Sequence, residues 1–117
     1  MVNIDEKAAQ ALANSAELVA AVRGIYHDDA PENGCYPLIQ YSDITESPAL
    51  HADNKLYAIQ KVIRVTIIDN TNASRHRLKE LVYQAMTSAG FYWQLTSTTR
   101  DGREYYTSMD FNYGCIN

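Results

Sequence analysis

The sequence predicts an α+β domain. It is expected to be a two-layer sandwich, with a four-stranded, mainly antiparallel sheet carrying helices on one face in the order α-β-β-α-β-β. Three stretches lead to this. Lys55 to Asp69, KLYAIQKVIRVTIID, alternates at period two, is rich in β-branched residues and holds neither Gly nor Pro, the pattern of a strand with one buried face. Ser74 to Ala89, SRHRLKELVYQAMTSA, repeats apolar residues at helical spacing. Phe91 to Tyr113 reads as two strands about Arg100-Asp101-Gly102, a hairpin signal. Two antiparallel hairpins and their helices bury these faces best as two layers.

Residues 5 to 23, DEKAAQALANSAELVAAVR, read as one helix. Ala9, Leu12, Ala16, Val19 and Ala20 fall on one stripe, with Asp5 and Glu6 at the N-terminus and Gly24 beyond the end, as capping and the helix dipole favour. A stripe made mostly of Ala buries little area, so its docking is expected to be shallow. Residues 25–35, IYHDDAPENGC, read as a loop, and Tyr36 to Tyr41 as a short strand beginning at Pro37, since Pro cannot donate to a ladder. Ser42 to Asn54, polar and containing Pro48, reads as a second loop.

In the long strand, Tyr57, Ile59, Lys61, Ile63, Val65 and Ile67 share one face. From Tyr57 to Ile68 it would run roughly 40 Å, at about 3.3 Å per residue. One layer of core cannot cover that length, so one end is expected to project where it can pair with something else. In the helix that follows, Leu78, Leu81, Val82, Ala85, Met86 and Ala89 form the stripe, Thr71 or Asn72 is the N-cap, and Gly90 follows the end. Its basic first turn, Arg75 and Arg77, opposes the helix dipole.

The closing hairpin admits two registers. A two-residue Asp101-Gly102 turn pairs Trp93 with Asp110 and Leu95 with Ser108. A three-residue loop pairs Phe91 with Phe111, Trp93 with Met109 and Leu95 with Thr107. A slip of one residue flips every side chain, so matching apolar to apolar selects the longer loop.

A chain of 117 residues, 46% hydrophobic and 21% charged, has the size and composition of one globular domain spanning 1–117. Its net charge of -4 argues against a protein whose main task is gripping phosphates. No apolar run approaches the ~20 residues that cross a bilayer, and the N-terminus shows no secretory leader. Cys35 and Cys115 are too few for a disulfide framework, so free thiols in a cytosolic setting are expected. Nine tyrosines, each with an apolar body and a polar tip, point to interfaces as well as core.

His27-Asp28-Asp29 and His51-x-Asp53 contain hard metal ligands, yet both sit among turn-forming residues, where Asp commonly makes turns. No nucleophile elbow, phosphate loop or zinc spacing appears. No catalytic residue, cofactor or metal is therefore expected. Arg75, His76, Arg77 and Lys79 form one small basic cluster, and Arg100 with Arg103 another.

The succession of segments resembles the small tail-completion, or tail-terminator, proteins of long-tailed bacteriophages and prophages. The resemblance is carried by Tyr36-Pro37-Leu38-Ile39-Gln40-Tyr41-Ser42-Asp43, by Ser47-Pro48-x-Leu50-His51-Ala52-Asp53-Asn54, by the strand to Asp69, by Ala89-Gly90-Phe91 closing the helix, and by the Tyr-rich hairpin. It implies a non-enzymatic virion protein, assembled in the bacterial host cytoplasm. Such a protein forms a ring, typically of six subunits, at the head-proximal end of the tail. The ring ends tube polymerisation and docks to the head. Its implied partners are further copies of itself, the tail tube protein and the head connector protein, with DNA passing through the lumen without specific binding. Other head–tail connector or minor capsid proteins share this size and layout, and a small cytosolic ligand-binding or enzymatic α+β domain is the alternative of another class. Geometry selects Tyr57, Gln60 and Lys61 on the long strand, and Arg100 and Arg103 at the hairpin tip, as subunit contacts.

Overall fold

The computed structural model describes residues 4–28, 36–52 and 55–116; at 45–52, 55–61, 72 and 114–116 it describes the backbone alone. The elements run α1 (Ile4–Ala13), α2 (Ala16–Ala21), β1 (Ile25–His27), β2 (Leu38–Ala52), β3 (Lys55–Asp69), α3 (Asn72–Ser88), β4 (Tyr92–Asp101) and β5 (Glu104–Ile116). The expected α+β class and helical layer are present, but the described strands form a five-stranded mixed sheet in the order β1-β2-β3-β5-β4.

β3 is the spine. It pairs antiparallel with β2 from Lys55 to Ile68 and with β5 from Ala58 to Asp69. From Val62 to Ile67 its alternation holds: Ile63, Val65 and Ile67 are buried, and Val62, Arg64 and Thr66 are half-buried; at the strand's end Ile68 and Asp69 are both buried. The buried row packs with Ile39 of β2, Met109 and Phe111 of β5, Leu12 of α1, Leu18 of α2, and Leu78, Val82 and Met86 of α3. The stripe expected on α3 is thus the one that docks.

α3 closes with two backbone bonds that fix the entry to β4. The Phe91 amide donates to the Met86 carbonyl and the Gly90 amide to the Thr87 carbonyl, each at 3.1 Å. Gly90 has φ +96°. This is a Schellman cap with glycine in the left-handed position, and it turns Phe91 into the core beside Met86. At the other end Thr71 is the N-cap residue, without a side-chain cap bond. Asp69 supplies the turn instead: its Oδ1 accepts from the Asn70 and Thr71 amides at 2.7 and 3.2 Å.

Four expectations are corrected. The helix read over 5–23 is two helices, because Ser15 caps α2, its hydroxyl accepting from the Leu18 amide. A Ser after Asn offers the backbone an alternative to helix. The buried stripe of α1 is Ile4, Ala8, Ala11 and Leu12, while Ala16, Val19 and Ala20 are exposed. The loop at 25–35 begins with β1, which pairs parallel to β2 through Ile25–Ile39 and His27–Tyr41; three residues with no turn partner leave no periodic trace. The loop at 42–54 is mostly strand, as β2 continues to Ala52 against β3. Pro48 fits there because β1 accompanies β2 only as far as Tyr41, so Pro48 lies on an edge, beside a register shift.

The hairpin register is the fourth correction. Asp101 pairs with Glu104, leaving Gly102 and Arg103 as a two-residue turn. Gly102 has φ +63° and Arg103 does not share the left-handed region, the arrangement of a type II′ turn with Gly first. A bulge at Gln94 then places Trp93 opposite Phe111 and Thr96 opposite Met109. Trp93 and Met109 are not paired.

Gly90→Ala is expected to lower the unfolding free energy by about 1–2 kcal/mol, the cost of a Cβ in the left-handed region. An added Cβ there meets only ordinary contact with Tyr113, so the penalty is conformational. Urea denaturation of the two proteins measures it, and equal midpoints would show that the cap carries no strain.

Candidate assembly surface

The molecule is elongated, 52 × 28 × 22 Å, with a radius of gyration of 15.0 Å, against about 13 Å for a compact chain of this length. The 15 residues of β3 extend about 50 Å, whereas the 17 residues of α3 cover about 25 Å. The expected overhang therefore exists: β2, β3 and β5 run out together as an arm that narrows to β2 and β3 at its tip. Ala52 pairs with Lys55 at its tip. Beyond Ala58, the last β3 residue paired to β5, β3 has only β2 beside it among the described residues.

Tyr57 lies in the tip beyond the last β5 pair, whereas Gln60 and Lys61 lie where β5 still flanks β3. Gln60 pairs with Ser47 and Gly114, and Lys61 with Glu46 and Tyr113. Their side chains lie outside the described residues. Arg100 and Arg103 sit at the opposite end of the sheet, where Tyr105 pairs with Asp69, roughly 25–30 Å along β3 from Lys61. The fold does not gather the five residues into one patch. It places them at two ends of one long axis.

At the hairpin tip the structure unites two basic clusters. The guanidinium groups of Arg75 and Arg100 lie over the Tyr105 ring at 5.2 and 5.3 Å, within cation–π range. Arg75 also donates to Thr98 Oγ1 at 3.1 Å, and Arg100 to the Gly102 carbonyl at 3.1 Å. Helix α3 and hairpin β4–β5 thus present one basic corner, with Arg103 exposed at its end.

The sheet face away from the helices is polar and internally compensated. Arg64 donates to both carboxylate oxygens of Asp110, at 2.9 and 3.2 Å, as cross-strand partners of β3 and β5. Thr66 and Ser108 form the next pair, 3.3 Å apart. Further along, Glu104 accepts from Tyr106 at 2.6 Å and from Tyr36. Those bonds favour the charged carboxylate: Tyr106 first, then Tyr36, hold the Glu104 carboxyl below its usual range, and the Tyr106 hydroxyl is pushed up to about 12 by Glu104.

The β4 edge is different. Its outer side has no neighbouring strand among the described residues, and Tyr92, Trp93 and Leu95 are 71, 50 and 55% exposed. Trp93 Nε1 donates to Thr96 Oγ1 at 2.7 Å, and its ring meets Tyr83 of α3 edge-on, centroids 6.4 Å apart. Lys79, Glu80, Tyr83, Trp93, Thr96 and Met109 line a groove of about 280 Å³ between α3 and this edge. Sequence reasoning assigned Trp93 to the core. A Gly heading a two-residue turn was the signal for the true register.

Of the metal candidates, His27 stacks on Tyr41 (4.9 Å, 13°) and sits 3.7 Å from Asp28. Asp29 and Asp53, and the side chain of His51, lie outside the described residues. Among the described residues, no three His, Cys, Asp or Glu side chains gather to hold a metal. No helix among them is long and apolar enough to cross a membrane.

The fold is shared with solved structures from a gene transfer agent and a bacteriophage. A chain from the virion of a native gene transfer agent particle superposes with a TM-score of 0.73 at 17% identity, covering 94% of this chain and 92% of its own. The bacteriophage SPP1 gp17 protein superposes with a TM-score of 0.61 at 15% identity, covering 97% and 88%. At such identities the likeness is one of fold, and at that level it supports the resemblance to phage tail-completion proteins. No family model and no curated protein matches the sequence.

Arg64→Ala is expected to cost more stability than Asp110→Asn, about 2 against about 1 kcal/mol. Asp110 has an 11% exposed side chain, whereas Arg64 is 43% exposed; the arginine can rehydrate and the orphaned carboxylate cannot. Denaturant midpoints of the two variants check the order, and the reverse order would sink the account. For Glu104, Tyr106→Phe is expected to raise the carboxyl pKa toward the ordinary value, read by NMR titration. The sign for stability follows: the pKa is depressed on folding, so the contribution is present above the unfolded value and is lost as pH falls through the folded one.

Proposed function

We propose that this chain is a non-enzymatic structural protein of a phage or prophage particle, which forms a ring at the head-proximal end of the tail, ends tube polymerisation and docks to the head. The observation that carries this is a fold shared over nearly the whole chain with a gene transfer agent virion component. The arm adds physical support. Two paired strands reaching beyond their own helical layer can add to a neighbouring subunit by strand contact. Identical head-to-tail contacts close into a ring when the rotation permits.

In this reading Tyr57, Gln60 and Lys61 on the arm meet the adjacent subunit, and Arg100 and Arg103 at the far tip serve a second contact. Six copies would stand on the tail tube protein and face the head connector protein. The sheet face bearing the Arg64–Asp110 pair and the hydroxyls of Thr66 and Ser108 suits a lumen, because charges already neutralised within the protein leave DNA free to slide.

Electron microscopy of lysates from a phage or induced prophage lacking the gene tests the reading. Overlong, headless tails are expected. Normal tails beside finished heads would move the role from termination to joining, and intact infectious particles would overturn the proposal. On the long strand, Lys61→Glu, which leaves the backbone pairing with Glu46 and Tyr113 in place, is expected to reduce particle yield strongly while the purified chain stays folded. Unchanged assembly would remove the arm from the interface.

A further inference from the structure

Two sheet edges and the charge of the chain together point to one docking surface. Residues 1–58 hold nine acidic and three basic side chains, and residues 59–117 five acidic and seven basic. Among the described strands the topology sets these halves apart, while the helices join them through the Glu17–Arg77 ion pair of α2 and α3. The sheet order puts β1 and β2, from the acidic half, at one side, and β5 and β4, from the basic half, at the other. Against the sheet, acidic α1 packs on β2 and β3, and α3, with its basic first turns, on β3, β5 and β4. The strand pairings also run level across the sheet: His27 beside Tyr41, Tyr41 beside Val65, Val65 beside Met109, Met109 beside Thr96. One row thus starts next to Asp28 and ends at the Trp93–Thr96 stretch of β4.

That far end is unfinished. β4 spans ten residues and contains neither Pro nor Lys; the bulge at Gln94 and the charges of Arg100 and Asp101 blunt its two ends, which leaves Leu95 to Thr99 as the open stretch. Its outward backbone groups stand beside the Tyr83–Trp93 groove, an aromatic anchor of the type that dominates interfaces. Lys79 flanks the groove, and Arg75 and Arg100 lie further along it. An occupant needs an unpaired strand edge and a negative border. The chain itself has one: among the described residues β1 has no strand on its outer side, and the exposed Asp28 follows it.

We propose that the β4 edge and the Tyr83–Trp93 groove seat a second copy of the same chain, which enters by its acidic β1 edge. The inference rests on the ring reading above and adds which surfaces close it. The contact is between two different edges, so it propagates head to tail and closes by rotation, and its charges set the register.

Trp93 is the sole tryptophan and reports on the contact directly. The full chain is followed by sedimentation, intrinsic fluorescence and acrylamide quenching as concentration rises at low salt. Self-association is expected to bring a blue shift and loss of quenching, both reversed by added salt. Lys79→Glu, at the rim of the groove, is expected to weaken association while leaving the unfolding midpoint of the monomer in place. An oligomer whose Trp93 is quenched as freely as the monomer's overturns the assignment and leaves the ring reading standing. A chain that stays monomeric at its highest soluble concentration overturns self-docking on this edge. Intact particles without the gene would instead defeat the ring reading.

Discussion

The pairing of β3 with two neighbours at once is the constraint on which the rest of the structure depends. A strand of fifteen residues can bury one face only where something covers it. The covered part is the part that carries Ile63, Val65 and Ile67 toward α1 and α3. Towards the tip nothing among the described residues but strand pairing to β2 accompanies it, and the molecule is elongated as a result. Core and arm are therefore one element doing two things. The half with a partner layer makes the domain stable, and at the end of the other half, from Lys55 to Tyr57, one backbone edge of β3 has no strand beside it among the described residues.

What could be read in advance followed from which residues carry their own reason for their structure. The buried row of β3 and the Leu78–Met86 stripe of α3 were legible because hydrophobic period, strand or helix propensity and burial agree there. Gly90 was legible as a cap because few other residues hold φ +96°. The second half of β2 was not. Residues 42–52 have no apolar alternation and contain Pro48, and they are extended because β3 lies beside them. Such a strand owes its existence to its partner, so local pattern cannot reveal it. β1 was missed for the same reason. The break at Asn14-Ser15 was missed because apolar spacing alone continued across it, while the cap bond to Leu18 ended the helix.

The hairpin register failed in a more instructive way. The longer loop was selected by pairing Trp93 and Leu95 with apolar residues, on the premise that large apolar side chains seek the core. In the folded chain the turn begins at Gly102 and the bulge at Gln94 re-aims the strand, leaving Tyr92, Trp93 and Leu95 exposed. A domain that exposes three such residues along an unpaired edge has not satisfied them internally. The premise was sound for an isolated monomer, and its failure is itself a property of the surface.

The candidate residues lie at the outer end of the long strand and at the hairpin tip, the two ends of one axis. Arg100 is occupied with Tyr105 and the Gly102 carbonyl, so part of its charge is already directed inward to the protein that bears it. The β4 edge offers what the tip lacks: unpaired backbone, aromatic area and a basic border in one place. Among the described acidic residues of the first half, Asp28 follows β1 and Asp43 lies on β2, at the opposite side of the same sheet. Two like edges would meet as a closed pair and stop at two. Two unlike edges, opposite in charge, can repeat the same contact from copy to copy, and repetition is the property a ring requires.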